Sequence, residues 1–190
     1  MTAYFQYLFA PEHVLQTLTF IIAIFTGILT YIKWSDALRA ERIELVRKIV
    51  EQLRFDPELA LTEYMIDYGI FHYAPDFHGS VLSSEKPNNS IEFRIDKLLS
   101  YIDFVCYLAK EKKIRADEFY FVEYKVVRIC ESLDVQQYLW NLYHYGRTRP
   151  IIGSFHYLID YMLDHAELVG LDKAEFLNKD SKLYPKNLNF

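Results

Sequence analysis

Residues 14–32, VLQTLTFIIAIFTGILTYI, contain no charged side chain. Wound as an α-helix, such a stretch rises about 28 Å, the thickness of a bilayer's hydrocarbon core. Glu12 and His13 bound it on one side, and Lys33 and Asp36 on the other. Tyr4, Phe5, Tyr7 and Phe9 precede it, and Tyr31 and Trp34 close it, as aromatic belts do at membrane interfaces. A soluble helix of this length keeps a polar face. A cleaved signal peptide needs a basic leader and a small-residue cleavage site, but MTAYFQYLFAPEH has no Lys or Arg and no A-x-A follows. The segment therefore reads as a single transmembrane helix. No Lys or Arg precedes it, whereas Lys33, Arg39, Arg42, Arg47, Lys48 and Arg54 follow. The positive-inside rule then places residues 1–13 outside and the rest of the chain in the cytoplasm.

Gln16, Thr19, Ala23, Thr26 and Thr30 recur at spacings 3, 4, 3, 4 within this segment, with Gly27 beside them. They form one stripe of polar or small side chains on an otherwise Leu-, Ile- and Phe-rich helix. In lipid such a stripe faces another helix or water. Two readings stay open: an oligomer whose stripe packs the helix interface or lines a pore, and a monomeric anchor whose threonines bond back to their own backbone.

Beyond the membrane segment the chain reads as all-α. No Pro or Gly interrupts residues 29–55, so the helix is expected to continue over 33–55, with Leu38, Leu45, Val46, Ile49, Val50 and Leu53 as its apolar stripe. Residues 56–190 form the remaining helical domain. Asp56-Pro57 starts a second helix that Gly69 ends. Residues 74–90 have loop composition. Ser90 caps a helix to about Lys113, with Phe93, Leu98, Ile102, Val105 and Ala109 inward. A helix over 116–133 turns in Phe119, Val122, Val126, Ile129 and Leu133. Asp134 with Gln137 reads as a capped start for a helix to Tyr145, Ser154 as the cap of the next helix, and Asp172 with Glu175 as a capping box for the last. The pattern is that of an antiparallel bundle.

Composition narrows the chemistry. Acidic residues outnumber Lys plus Arg by 26 to 21, which argues against a broad nucleic-acid surface. Glycine and proline, six each, are too few for a loop-rich β fold. Cys106 and Cys130 have no paired spacing and read as buried thiols. No metal-ligand spacing, Gly-rich phosphate loop or nucleophile elbow is present, so no metal or cofactor is expected.

The one stretch with catalytic potential is Arg147-Thr-Arg149-Pro-Ile-Ile-Gly-Ser-Phe-His156. Its loop turns into a helix whose first turn contains His156. A helix N-terminus offers free N–H groups and a positive dipole end, and an Arg beside it makes a phosphate site. Asp160, one turn on, is placed to orient the imidazole. Arg147 and His144 are close enough in sequence to support the same site. The bland alternative is a loop arginine and a packed or capping histidine.

An all-helical bundle with R-x(4–6)-H entering a late helix resembles the HEPN superfamily, and Arg149 and His156 match that motif at its widest spacing. A membrane helix ahead of such a domain is similar to the membrane accessory proteins encoded beside type VI-B CRISPR RNA-guided ribonucleases. That resemblance covers nearly the whole chain through a short motif. It implies an HEPN-like bundle, a ring-shaped homo-oligomer (an octamer) in the bacterial inner membrane, and a pore that strengthens antiviral defence once the RNA-guided ribonuclease is active. It implies no cofactor. Pro150 departs from the polar residue usual after the arginine in active HEPN ribonucleases, which puts RNA cleavage in doubt. Three functions follow as expectations: a non-enzymatic oligomeric pore, a membrane-tethered metal-independent ribonuclease, and an anchor that docks a partner.

Overall fold

The computed structural model describes residues 11–74, 77, 90–146 and 155–187, with side chains from residue 14 onward. Among the described residues every regular element is a helix. The chain divides into two compact units, residues 1–44 and 45–190.

Helix α1 runs without interruption over Pro11–Phe55, so the apolar segment continues through residues 33–55 as their lack of Gly and Pro predicts. In the first unit its surface is uncovered. From residue 14 to residue 37 every side chain except that of Thr17 is exposed. The most apolar 18-residue window has a mean hydropathy of 1.8, and none of it is buried. This helix is long and apolar enough to cross a membrane.

The second unit begins with the last turns of α1. Val46, Ile49 and Leu53 are buried, Leu45 and Val50 partly so. Asp56 ends this helix and caps α2 (Pro57–Asp67), its carboxylate accepting from the Glu58 and Leu59 amides at 2.9 and 3.1 Å. Those bonds, led by Leu59, hold the Asp56 carboxyl below its usual range, although partial burial opposes them and the Lys97 ammonium assists. Gly69, at φ 64°, follows α2 in the left-handed conformation that glycine tolerates best.

Helix α3 (Ile91–Lys110) is the centre of the unit. Ser90 caps it through the Phe93 amide, and Ile95, Leu98, Leu99, Ile102, Val105, Cys106 and Leu108 are buried. Phe93, expected inward, is exposed. The helix stops three residues before the expected end because Lys112 takes a positive φ and the Lys113 amide bonds back to Leu108. Helix α4 (Ala116–Glu131) buries Phe119, Val122, Val126 and Ile129, and ion pairs Lys125–Glu63 and Arg128–Asp67 join it to α2. Leu133 is not part of it: this residue opens α5 (Leu133–Tyr145) and is exposed.

Asp134 does not cap α5. Its carboxylate accepts from the Tyr73 amide at 2.7 Å, and Ser132 is the cap residue. A tertiary bond has replaced the local one. Helix α6 (His156–Asp164) begins after Phe155, whose φ is 59°; Ser154, its expected cap, lies outside the described residues. Helix α7 (Lys173–Leu177) is capped by Asp172 through the Ala174 and Glu175 amides, both at 3.0 Å, and Glu175 accepts from the Ser181 hydroxyl. The tail beyond α7 is stitched to α5. Buried Asn141 accepts from the Asn187 amide and donates to the Pro185 carbonyl, and buried Gln136 accepts from the Tyr184 hydroxyl.

Candidate functional site

The first candidate is the polar stripe of α1. The Thr19, Thr26 and Thr30 hydroxyls each donate to the carbonyl four residues back, at 2.8 Å. Within the helix these bonds satisfy the hydroxyl protons, so the threonines do not require a partner to lie in lipid. Their oxygens still have acceptor capacity. The small side chains also leave a groove on α1, lined by Leu15, Gln16, Thr19, Phe20 and Ala23. A groove of this kind lets another helix approach closely.

The second candidate surrounds His156. Arg147 and Arg149 lie outside the described residues. His156 is the first residue of α6, half-exposed, with Nε2 at 3.5 Å from the Asp160 carboxylate. The i, i+4 spacing brings the two together as expected. Asp160 is shared, because the Lys110 ammonium from α3 also pairs with it. His144 is engaged elsewhere: its Nε2 lies 2.9 Å from the Phe176 carbonyl, and its ring packs on Trp140 and Tyr143.

The structure corrects the expectation of free amides at this helix start. Asp103, from the middle of α3, accepts from the Leu158 amide at 2.8 Å, and the Tyr157 amide also bonds to it. The positive end of α6 already holds an anion, and it is the protein's own carboxylate. Burial pushes the Asp103 carboxyl above its usual range, while the two amide bonds and the His156 ring pull against that shift and Asp160 adds to it. A phosphate brought to the same amides would have to displace Asp103 and would face Asp160 as well. What remains is a histidine–carboxylate pair able to pass a proton, without the anion cradle on which the phosphate reading rested.

Asp103 is the residue that the linear motif missed. The signal was an acid set between Ile102 and Phe104 in a strongly apolar helix, where a charge needs a partner. Among the described residues, no three His, Cys, Asp or Glu side chains are grouped to hold a metal ion. No family model, curated protein or solved structure matches this chain.

Proposed function

We propose that the protein is a single-pass membrane protein that assembles through α1 into an oligomeric pore, with residues 45–190 as an HEPN-like domain on the cytoplasmic side. The observation that carries this reading is the uncovered apolar surface of α1. Side chains such as Leu15, Phe20, Ile22 and Phe25 are half or more exposed, and no described residue of the first unit covers them. Removing roughly 20 such residues from water into lipid is favourable by tens of kcal/mol at about 25 cal/mol per Å². The grooved stripe supports self-association, and the cations following the segment support the orientation. The assignment to antiviral defence, as an accessory effector acting beside an RNA-guided ribonuclease, rests on the resemblance alone.

The test is imaging of the full-length protein in mild detergent together with conductance in planar bilayers. The pore reading expects closed ring-shaped particles and discrete conductance steps. Monomeric particles with no conductance would refute it.

A membrane-tethered, metal-independent ribonuclease is the second reading, favoured by the His156–Asp160 contact and opposed by Asp103 in the anion position. It requires cleavage of single-stranded RNA in the presence of a chelator and loss of that cleavage in His156→Ala. The pore reading expects no cleavage from either protein and unchanged conductance in the variant.

A further inference from the structure

Two neighbouring helices of the second unit turn large side chains to solvent. On α2, Leu59, Thr62 and Ile66 are buried. Leu61, Tyr64 and Tyr68 each follow one of these by two residues, which sets them about 200° round the helix. They are 47%, 51% and 66% exposed. Tyr64 and Tyr68 stack on each other at 4.2 Å and still leave that much surface open. On α4, Val122 and Val126 are buried, and Tyr120 and Tyr124 precede them by two residues. With Phe121 beside them, these rings are 73%, 71% and 70% exposed for Tyr120, Tyr124 and Phe121. The ion pairs Lys125–Glu63 and Arg128–Asp67 lay the two helices side by side. Both turn their inner faces to one core, so their outer faces look the same way and make one surface of five rings and a leucine.

The size of that surface argues for a partner. An aromatic side chain carries about 150–250 Å², so the five rings leave roughly 600 Å² uncovered. That reaches the top of the range of about 300–600 Å² for the largest apolar patch of a monomer. With the charged rim it approaches the roughly 800 Å² that each partner buries in a stable complex. Charge decides the kind of partner. Lys125 and Arg128 are the cations of these two helices, and both are spent on carboxylates of α2, Arg128 on Glu131 as well. Neither is left for a phosphate or an anionic headgroup, so nucleic acid and an anionic membrane surface fit poorly. Rings at the centre with matched charges around them are the composition of a protein–protein contact. A second copy of the chain meets that need, and copies anchored in one membrane meet at high local concentration.

We propose that the α2–α4 face is a self-association surface through which residues 45–190 of one copy bind a second copy. The proposal takes from the α1 reading the local concentration of copies alone, and substitutions separate the two surfaces. Sedimentation velocity at micromolar concentration in mild detergent compares three full-length proteins: the parent, the α1 variant Thr19→Leu, Thr26→Leu, Thr30→Leu, and that variant carrying also Tyr120→Ser, Phe121→Ser and Tyr124→Ser. The α1 variant is expected to remain associated, and the combined variant to associate at least tenfold more weakly at an unchanged unfolding temperature. A monomeric α1 variant, or a combined variant that sediments as the α1 variant does, would overturn the proposal and leave the α1 reading untouched. Conductance of the parent is read separately: its absence would refute the pore while a dissociating combined variant still upheld the face. Hydroxyl-radical footprinting of the α1 variant decides the matter even where the serine substitutions prevent folding. Tyr120, Phe121 and Tyr124 are expected to be oxidised at least threefold less in the associated protein than in neutral-lipid nanodiscs that hold one copy. Equal oxidation in the two states would contradict the contact. Rings already shielded in single-copy discs would give the face to the bilayer instead and overturn the proposal.

Discussion

Asp103 and Asp56 do the same job in opposite circumstances. Each carboxylate accepts amide bonds at a helix start, but Asp56 caps the helix that follows it in sequence, whereas Asp103 reaches across from another helix. Asp103→Ala leaves the Leu158 amide without its acceptor and should lower stability by about 1–2 kcal/mol, with Asp103→Asn losing less because its carbonyl still accepts. Thermal unfolding of the three proteins checks this. The pH dependences differ in sign. The Asp56 carboxyl titrates lower in the folded than in the unfolded chain, so its stabilisation is complete above about pH 4 and fades as pH falls through the folded value. The stability gap between wild type and Asp56→Ala should therefore narrow in acid. Asp103 titrates higher in the folded chain, so it subtracts stability as pH rises from about 4 through its folded value, and Asp103→Asn should remove that fall. A gap for Asp56→Ala that is constant across the acid range would contradict the capping account.

At the scale of elements, α1 is where sequence and structure agree most closely. One apolar segment followed by residues 28–55 without Gly or Pro gives one helix, and the local caps at Asp56, Ser90 and Asp172 all hold. These signals are legible because each partner lies within three residues. The misreadings share the opposite cause. Asp134 looks like a cap until Tyr73, 61 residues away, takes its carboxylate. The start of α6 looks like an open anion site until Asp103, 55 residues away, fills it. Phe93 and Leu133 fit an apolar period but sit at helix starts, where no described neighbour covers them. The stripe of α1 lies between these cases: its spacing is legible, and no described residue of the chain covers it. Replacing Thr19, Thr26 and Thr30 together by Leu should leave α1 helical and in the membrane, since Leu favours both. It should abolish conductance by filling the groove and removing the hydroxyls. Bilayer recordings on the triple variant, with membrane fractionation as control, test this; undiminished conductance would take the stripe out of the mechanism.

For the whole molecule, the proposed function gives the two units different solvents. Residues 45–190 bury a continuous core of aliphatic and aromatic side chains, and buried Gln136 and Asn141 tie the C-terminal tail to it. Residues 14–37 bury almost nothing within the chain. The central claim of the proposed function is that lipid and other copies of α1 share that surface unequally. Spin labels placed singly at positions 15–30 of the full-length protein in bilayers, with collision rates measured for oxygen and for a water-soluble nickel chelate, read this directly. Cys106 and Cys130 are buried, so labelling at the introduced thiols is selective. Oxygen access is predicted to peak at Leu18, Ile21, Phe25 and Ile28, on the face opposite the stripe, and to fall at Gln16, Thr19, Ala23, Thr26 and Thr30 with a helical period. Uniform oxygen access around the helix, or nickel access at every position, would contradict it.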